Sequence, residues 1–258
     1  MISGSSPCLL RLADERATGA LLCDSGAIYL ADGDVVHAES PAAPGIEILL
    51  AASGRLPGES WRAAVDRAGA RRRVGRFLVD SGQMAIGELE ICHLCALFDA
   101  SYFVLSHGDG ATRFRPGAEH WFGPLRPVRA KAVERESRRR RKLLDGLWPH
   151  PQVDTTPVAR RQVPGAPVVS SRQRAVLDLV DGERTASAIA RLLGRPAFHT
   201  LVDIRRLAAM GLIETPATAL PSRPATSVAS RAANSAGIST DLDIALLRRI
   251  RDALEARL

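Results

Sequence analysis

Cys92-His93-Leu94-Cys95 sets two thiols and an imidazole within four residues, and Cys23 and His37 stand earlier in the same half of the chain. Thiolate and imidazole are ligands that zinc prefers, and a C-x-x-C pair also serves dithiol redox chemistry. Each chemistry asks for more than the pair. A structural zinc site needs a second ligand pair at recognisable spacing, and a redox pair sits at an exposed helix start after a strand. "ELEICHLCALFDA" instead reads as a buried helix with both cysteines in its middle. Cys8, Cys23, Cys92 and Cys95 are therefore expected to be reduced core residues, with no metal or cofactor bound. His37, in "VVHAES", has no nucleophile motif beside it and is expected to be a core or turn-capping histidine. Glu88 and Glu90 are two apart on a helix and cannot face each other. There is no Gly-rich phosphate loop after a strand, no G-x-S-x-G and no His-Glu metal cluster, so no catalytic residues are expected and the chain does not read as an enzyme.

The elements that would position these residues follow from periodicity and turn signals. With 258 residues, 46% of them hydrophobic, the chain is long enough for two domains. "PCLLRLADER" reads as a short helix, and "TGALLC", "GAIYLA" and "DVVHAES" as three strands. The last two meet at Asp32-Gly33, a strong hairpin signal, because glycine takes the positive φ that a tight turn needs. "PGIEILLAASG" reads as a helix opened near Pro44 and closed at Gly54, followed by helices in "GESWRAAVDRAGA" and "RRVGRFLVDSG". "MAIGELEICHLCALFDA" is expected to be a further helix, running into "SYFVLSHGDGATRFRP" as two strands around a Gly-Asp-Gly turn. Residues 1–125 thus read as one α+β domain. No apolar run looks long enough to span a bilayer, and the N-terminus has no basic stretch followed by a long apolar core, so a cytoplasmic protein without membrane contact is expected.

"TGALLCDSGAIYLADGDVVHAES" followed by "PGIEILL" resembles the PATAN-type domain, in which a Thr-Gly-hydrophobic strand precedes an aromatic-bearing hairpin, an apolar-His-Ala strand and a helix started by glycine. The positions that carry the resemblance are Thr18, Gly19, Ile28, Tyr29, Gly33, Val36, His37, Ala38 and Gly45. It covers roughly the first half of the chain. The resemblance implies a bacterial signalling or protein-interaction module attached to a regulator, with a protein partner and no catalytic residues.

Charge divides the chain further. Residues 1–125 hold 11 basic and 15 acidic side chains, whereas residues 126–258 hold 24 and 13. The excess is densest in residues 126–161, with 11 basic against 4 acidic. Residues 126–170 read as a basic linker: a helix to about Leu147, ending in Leu143, Leu144, Leu147 and Trp148, and then a proline-punctuated tether. Arg138, Arg139, Arg140, Arg141 and Lys142 would circle the surface of such a helix, either as polyanion contacts or as a solvated face.

Residues 171–215 read as three short helices. Ser170 or Ser171 starts the first, Thr185 caps the second with Ile189, Leu192 and Leu193 facing inward, Gly194 makes the turn, and Pro196 opens the third, which buries Leu201, Ile204, Leu207 and Ala208. This is the rhythm of a helix-turn-helix, and "RLAAMGLI" resembles the passage from the third helix into the first wing strand of winged-helix regulators. In a DNA-binding version the outward residues of the third helix meet base edges. These would be Arg195, His199 and Thr200, with Arg205 and Arg206 further along. Asp203 fits that surface badly, since a carboxylate beside phosphates is repelled. Residues 216–238 are too rich in Pro, Ser and Ala for a second wing strand and read as a disordered tether. Residues 239–258 read as a capped amphipathic helix able to pair with a second copy of the chain.

The expected class is therefore α+β, a PATAN-like N-terminal domain joined by a basic helical linker to a small all-α winged-helix-like domain. Two functions are compatible with it, the first being the expected one and the second its alternative. One is a transcriptional regulator that binds DNA through the helix-turn-helix and the basic linker and takes its signal through the N-terminal domain. The other is a signalling adaptor that binds proteins and not DNA. The charge split and the helical pattern favour the first; the missing wing and Asp203 favour the second.

Overall fold

The computed structural model describes residues 5–52, 54, 56–106 and 111–214. The chain divides into two units, Met1–Ala219 and Leu220–Leu258, and every described residue belongs to the first. The Gly-Asp-Gly turn, the tether 216–238 and the helix expected at 239–258 lie outside the described residues.

The unit mixes helices with an antiparallel sheet, as an α+β chain should. Helix α1 (Ser5–Asp14) leads into strands β1 (Gly19–Cys23), β2 (Gly26–Ala31) and β3 (Asp34–Glu39). Two edge strands, β4 (Arg113–Pro116) beside β1 and β5 (Val128–Arg129) beside β3, complete the order β4-β1-β2-β3-β5. Exposed Arg113 and Arg115 on β4 are the kind of charged edge that discourages strand addition by another chain. The β2–β3 turn is the one the sequence calls for, with Asp32 at φ 52° and Gly33 at φ 85°. A Cβ on Gly33 would lie 2.5 Å from the carbonyl oxygen of Ala13, so α1 closes over the turn. Gly33→Ala should therefore cost about 1–3 kcal/mol, from combined backbone strain and collision; equal urea midpoints for variant and parent would show that α1 is not seated there.

Three short helices, α2 (Ile46–Ala52), α3 (Gly58–Ala68) and α4 (Val74–Asp80), precede α5 (Ile86–Ser106). Here the structure corrects the sequence expectation. "SYFVL" is the second half of α5 and not a strand: Ser101, Tyr102, Phe103, Val104 and Leu105 are all buried on the helix. Aromatic and β-branched residues favour strands only weakly, and burial within a helical core outweighs that preference. The uninterrupted helix is long and apolar enough to cross a membrane by length and composition, which the broken reading hid, but 72% of that apolar window is buried inside the protein. It is the central helix of the unit. Its first half packs with α2, α3, α4 and Phe122 in one core, and its second half with α1 and the sheet in another.

The second core does not stop at the N-terminal half. It continues through α6 (Ala130–Leu147), a 3-10 turn at Pro151–Asp154, and helices α7 (Ser171–Leu177), α8 (Ala186–Leu193) and α9 (Ala197–Ala209). The supposed linker is thus a core helix followed by a pinned strap. Val133 and Leu144 of α6 and Val153 and Val158 of the strap are fully or almost fully buried. The strap also supplies β6 (Ala159–Arg160), which pairs antiparallel with β7 (Ile213–Glu214) just after α9. The strand following "RLAAMG" therefore finds its partner upstream.

Local chemistry explains the three-helix segment. Ser170 and Gln173 form a reciprocal capping box on α7, Thr185 accepts from the amide of Ala188 on α8, and Gly194 ends α8 at φ 58°. Two details differ from expectation. Pro196 stands at the cap position, one residue before α9, and Leu192 points outward, leaving Ile189 and Ala190 as the buried stripe of α8.

Candidate functional site

The helix expected to read DNA is buried on almost every side. α9 buries Ala197, Phe198, Leu201, Val202, Ile204, Leu207 and Ala208, and with them three polar residues: Thr200 (1% exposed), Asp203 (2%) and Arg205 (2%). Thr200 Oγ1 donates to the carbonyl of Pro196. Asp203 accepts from Arg172 of α7 at 2.9 and 3.1 Å. Arg205 grips both carboxylate oxygens of Asp154 at 2.9 and 2.6 Å and donates to the carbonyl of Trp148 at 2.7 Å. Thr200 and Arg205 are thus turned inward and do not form a base-reading surface. Arg195, His199 and Arg206 keep partial exposure.

The start of α9 is held from a distance. Pro196 offers no side-chain cap, and the free amides of Ala197 and Phe198 are instead taken by Oδ2 and Oδ1 of Asp99, on α5, at 2.6 and 2.9 Å. Arg140 of α6 stands 3.7 Å from the same carboxylate, donates to the carbonyl of Phe98 and lies over the Phe198 ring at 4.6 Å. Burial pushes the Asp99 carboxyl upward, against the pull of Arg140 and the two amides. Both oxygens accept N–H groups, which is the geometry of a carboxylate rather than an acid.

The run at 138–142 divides in the same way. Arg140 is buried, and Arg141 donates to the carbonyl of Leu105 at 2.9 Å. Arg138 pairs with Glu134, and Arg139 and Arg140 share Glu136. Only Arg138 and Lys142 of the five are exposed. The expected ring of surface cations fails because α6 is wedged between α5 and α9, so that one face must be neutralised internally.

A second constellation lies on the sheet. Tyr29 and His37 are cross-strand partners of β2 and β3, and Glu39, two residues on, shares their face. Tyr29 donates to Glu39 Oε1 at 2.8 Å, and Glu39 Oε2 lies 3.4 Å from Nε2 of His120. Because Nδ1 of His120 accepts from the amide of Phe122, the proton of the neutral ring sits on Nε2, facing the carboxylate. His120 stacks on His37 at 3.7 Å between centroids, and Nδ1 of His37 meets Nε2 of His93 at 3.2 Å. Three imidazoles thus touch in sequence, and Nδ1 of His93 is buried. Desolvation, then the neighbouring His120 and His93, holds His37 well below its usual range; desolvation and His120 bring His93 down to about 4. The hydrogen bonds from His120 and Tyr29 hold Glu39 below the usual carboxylate range.

No family model, curated protein or solved structure matches this chain.

Glu39 and His120 open onto a cavity of about 580 Å³ bounded by β2, β3, α2, α5, Trp121 and Arg191 of α8. His37, singled out in the sequence as a core residue, lies at its edge. Tyr29 was named only for the resemblance, and Glu39, His120 and Trp121 not at all, although the two-residue period of a strand puts Glu39 beside His37; nothing local indicates that His120 folds back onto them. Of the cysteines, Cys8 and Cys92 are buried, Cys23 and Cys95 half-buried, and none is in a disulfide. Among the described residues no three His, Cys, Asp or Glu side chains converge as metal ligands.

Proposed function

We propose that this chain is a signalling adaptor that works through protein contacts and does not read DNA with its helix-turn-helix segment. The observation that carries this reading is the seat of α9: Thr200, Asp203 and Arg205 face other parts of the same unit, and the first turn of the helix is capped by Asp99. A recognition helix must offer the outward residues of its N-terminal part to base edges in the major groove. The resemblance of β1, β2, β3 and α2 to the PATAN-type domain supports the adaptor reading, as does the internal neutralisation of α6. In these terms the winged-helix-like shape serves as a structural buttress to the N-terminal sheet.

A surface for a partner is available on the N-terminal half. Arg67, Arg71, Arg72, Arg73 and Arg76 are exposed within ten residues, beside an exposed Trp121, and the composition is that of protein hot spots. Arg72 is paired with Glu119 and Arg76 with Asp80. The patch suits an acidic protein surface.

The test is a salt series of binding to random duplex by the full chain and by Arg195→Ala, Arg206→Ala and Asp203→Asn. The adaptor reading expects weak binding with the same salt slope in all four proteins, within about twofold in affinity, because the general positive charge and not α9 would hold the duplex. A sequence-specific site whose discrimination falls about 1–3 kcal/mol in Arg195→Ala would overturn it.

A further inference from the structure

We propose that the cavity beside Glu39 binds a small organic cation, a primary or quaternary ammonium carried on an apolar body. The inference goes beyond the adaptor reading and does not depend on what α9 does.

Glu39 supplies the charge. Its carboxylate is half-exposed at the cavity wall and is oriented by Tyr29 from one side and His120 from the other, so it is fixed before any ligand arrives. Both partners are donors that leave the negative charge in place when His120 is neutral. A carboxylate has about four acceptor positions, and the contacts to Tyr29 and His120 leave room for the N–H of a primary ammonium or for the unbonded approach of a quaternary one. Glu47, at the start of α2, adds a second carboxylate to the lining. Arg191 is the one Lys or Arg among the lining residues, and its guanidinium is turned to the carbonyl of Pro41 and the hydroxyl of Ser187. Arg72, the arginine that reaches the loop carrying Trp121, is itself paired with Glu119.

The remaining walls suit the body of such a ligand. Ala27, Ala43, Ala96 and Ala100 are small, and their size leaves the space open. Trp121, whose ring centroid lies 5.0 Å from that of His120, brings an indole to the lining as the kind of ring a cation can approach. A volume of this size falls in the range of cavities that enclose drug-sized molecules. Glu39 and Glu47 outnumber Arg191, whose guanidinium is directed to Pro41 and Ser187, so the lining favours a cation over a phosphate or a carboxylate.

Titration calorimetry of the full chain with benzylamine, choline and the neutral control benzyl alcohol tests the inference. The expected result is saturable binding of at least one of the two cations, with benzyl alcohol at least tenfold weaker, and a loss of tenfold or more in Glu39→Gln. Trp121→Ala should weaken the same cation severalfold in a protein that still unfolds cooperatively, its midpoint lowered only by the lost contacts with Trp61, His120 and Phe122, which separates lost contact from lost fold. Benzyl alcohol binding as tightly as the better of the two cations would overturn the inference. So would binding that persists unchanged in folded Glu39→Gln, or no binding of either cation.

Discussion

Asp99→Ala should remove about 3–5 kcal/mol of stability, the largest single-residue loss expected in the unit. The substitution takes away one small side chain and leaves three groups behind. The amides of Ala197 and Phe198 lose the only cap available to them, because Pro196 has no side-chain acceptor, and Arg140 loses one of its two carboxylates and keeps only Glu136, at 3.0 Å. Removing one member of a buried charged cluster costs more than the cluster contributes in net terms, since the remaining charge must stay desolvated. Asp99→Asn preserves one acceptor and sets an NH2 group against an amide donor, so its loss should fall below that of alanine. Urea unfolding of the three proteins at neutral pH measures both. A loss under about 1 kcal/mol for Asp99→Ala would mean that α9 is seated by its apolar face alone.

The second large effect is expected from acid. His37 and His93 are buried as neutral rings, with His93 held at about 4 against an ordinary 6.5. A histidine whose folded pKa is depressed leaves stability untouched above the unfolded value and subtracts from it as pH falls, because the unfolded chain takes the proton first. The window opens near 6.5 and, for His93, closes near 4. That one ring should cost about 2 kcal/mol by pH 5 and about 3 by pH 4 relative to pH 7, with His37 adding to the slope. Glu39, whose pKa is lowered, acts in a lower window, since its contribution is present above its ordinary value and is lost only as pH falls through its depressed one. Between pH 7 and 5 the histidines should therefore dominate this cluster. His93→Phe, which keeps a ring stacked on Phe122, should flatten the slope between pH 7 and 5, at a cost of about 1–3 kcal/mol at pH 7 because Nδ1 of His37 loses its partner. A parent protein equally stable at both pH values would show that these rings are hydrated in solution.

What could be read from the sequence was whatever a few neighbouring residues decide. Asp32-Gly33 announces a hairpin because two consecutive positive φ values must be met locally, and Ser170, Thr185 and Gly194 mark helix ends for the same kind of reason. The apolar stripe of α9 was legible from its spacing. The other face of α9 was not. Thr200, Asp203 and Arg205 have the composition of a wet surface; Asp203 and Arg205 are turned inward by Arg172, Asp154 and Trp148 arriving from elsewhere, while Thr200 is buried with its hydroxyl on the carbonyl of Pro196. The same limit governed Arg140, whose partners come from α5 and α9 as well as from its own helix. The cavity site was half visible: strand alternation aligns Tyr29, His37 and Glu39, but His93 and His120 reach them from positions far along the chain. In "SYFVL" local preference favoured a strand and long-range burial favoured a helix, and burial won.

The cap on α9 also has a bearing on the order in which the chain can finish folding. Asp99 precedes the amides it accepts by 98 and 99 residues, so the last helix of the described unit is completed by a side chain synthesised long before it. Contacts of such sequence separation close a large loop before they return any stabilisation, and they slow folding relative to local ones. During synthesis α5 and α6 are made before α9, and the start of α9 is capped only once it meets α5. Residues 171–214 are therefore not an exchangeable cassette: recombination that moved them to another protein would carry over the capping box, the Thr185 cap and the left-handed turn at Gly194, and leave behind the carboxylate that starts the final helix.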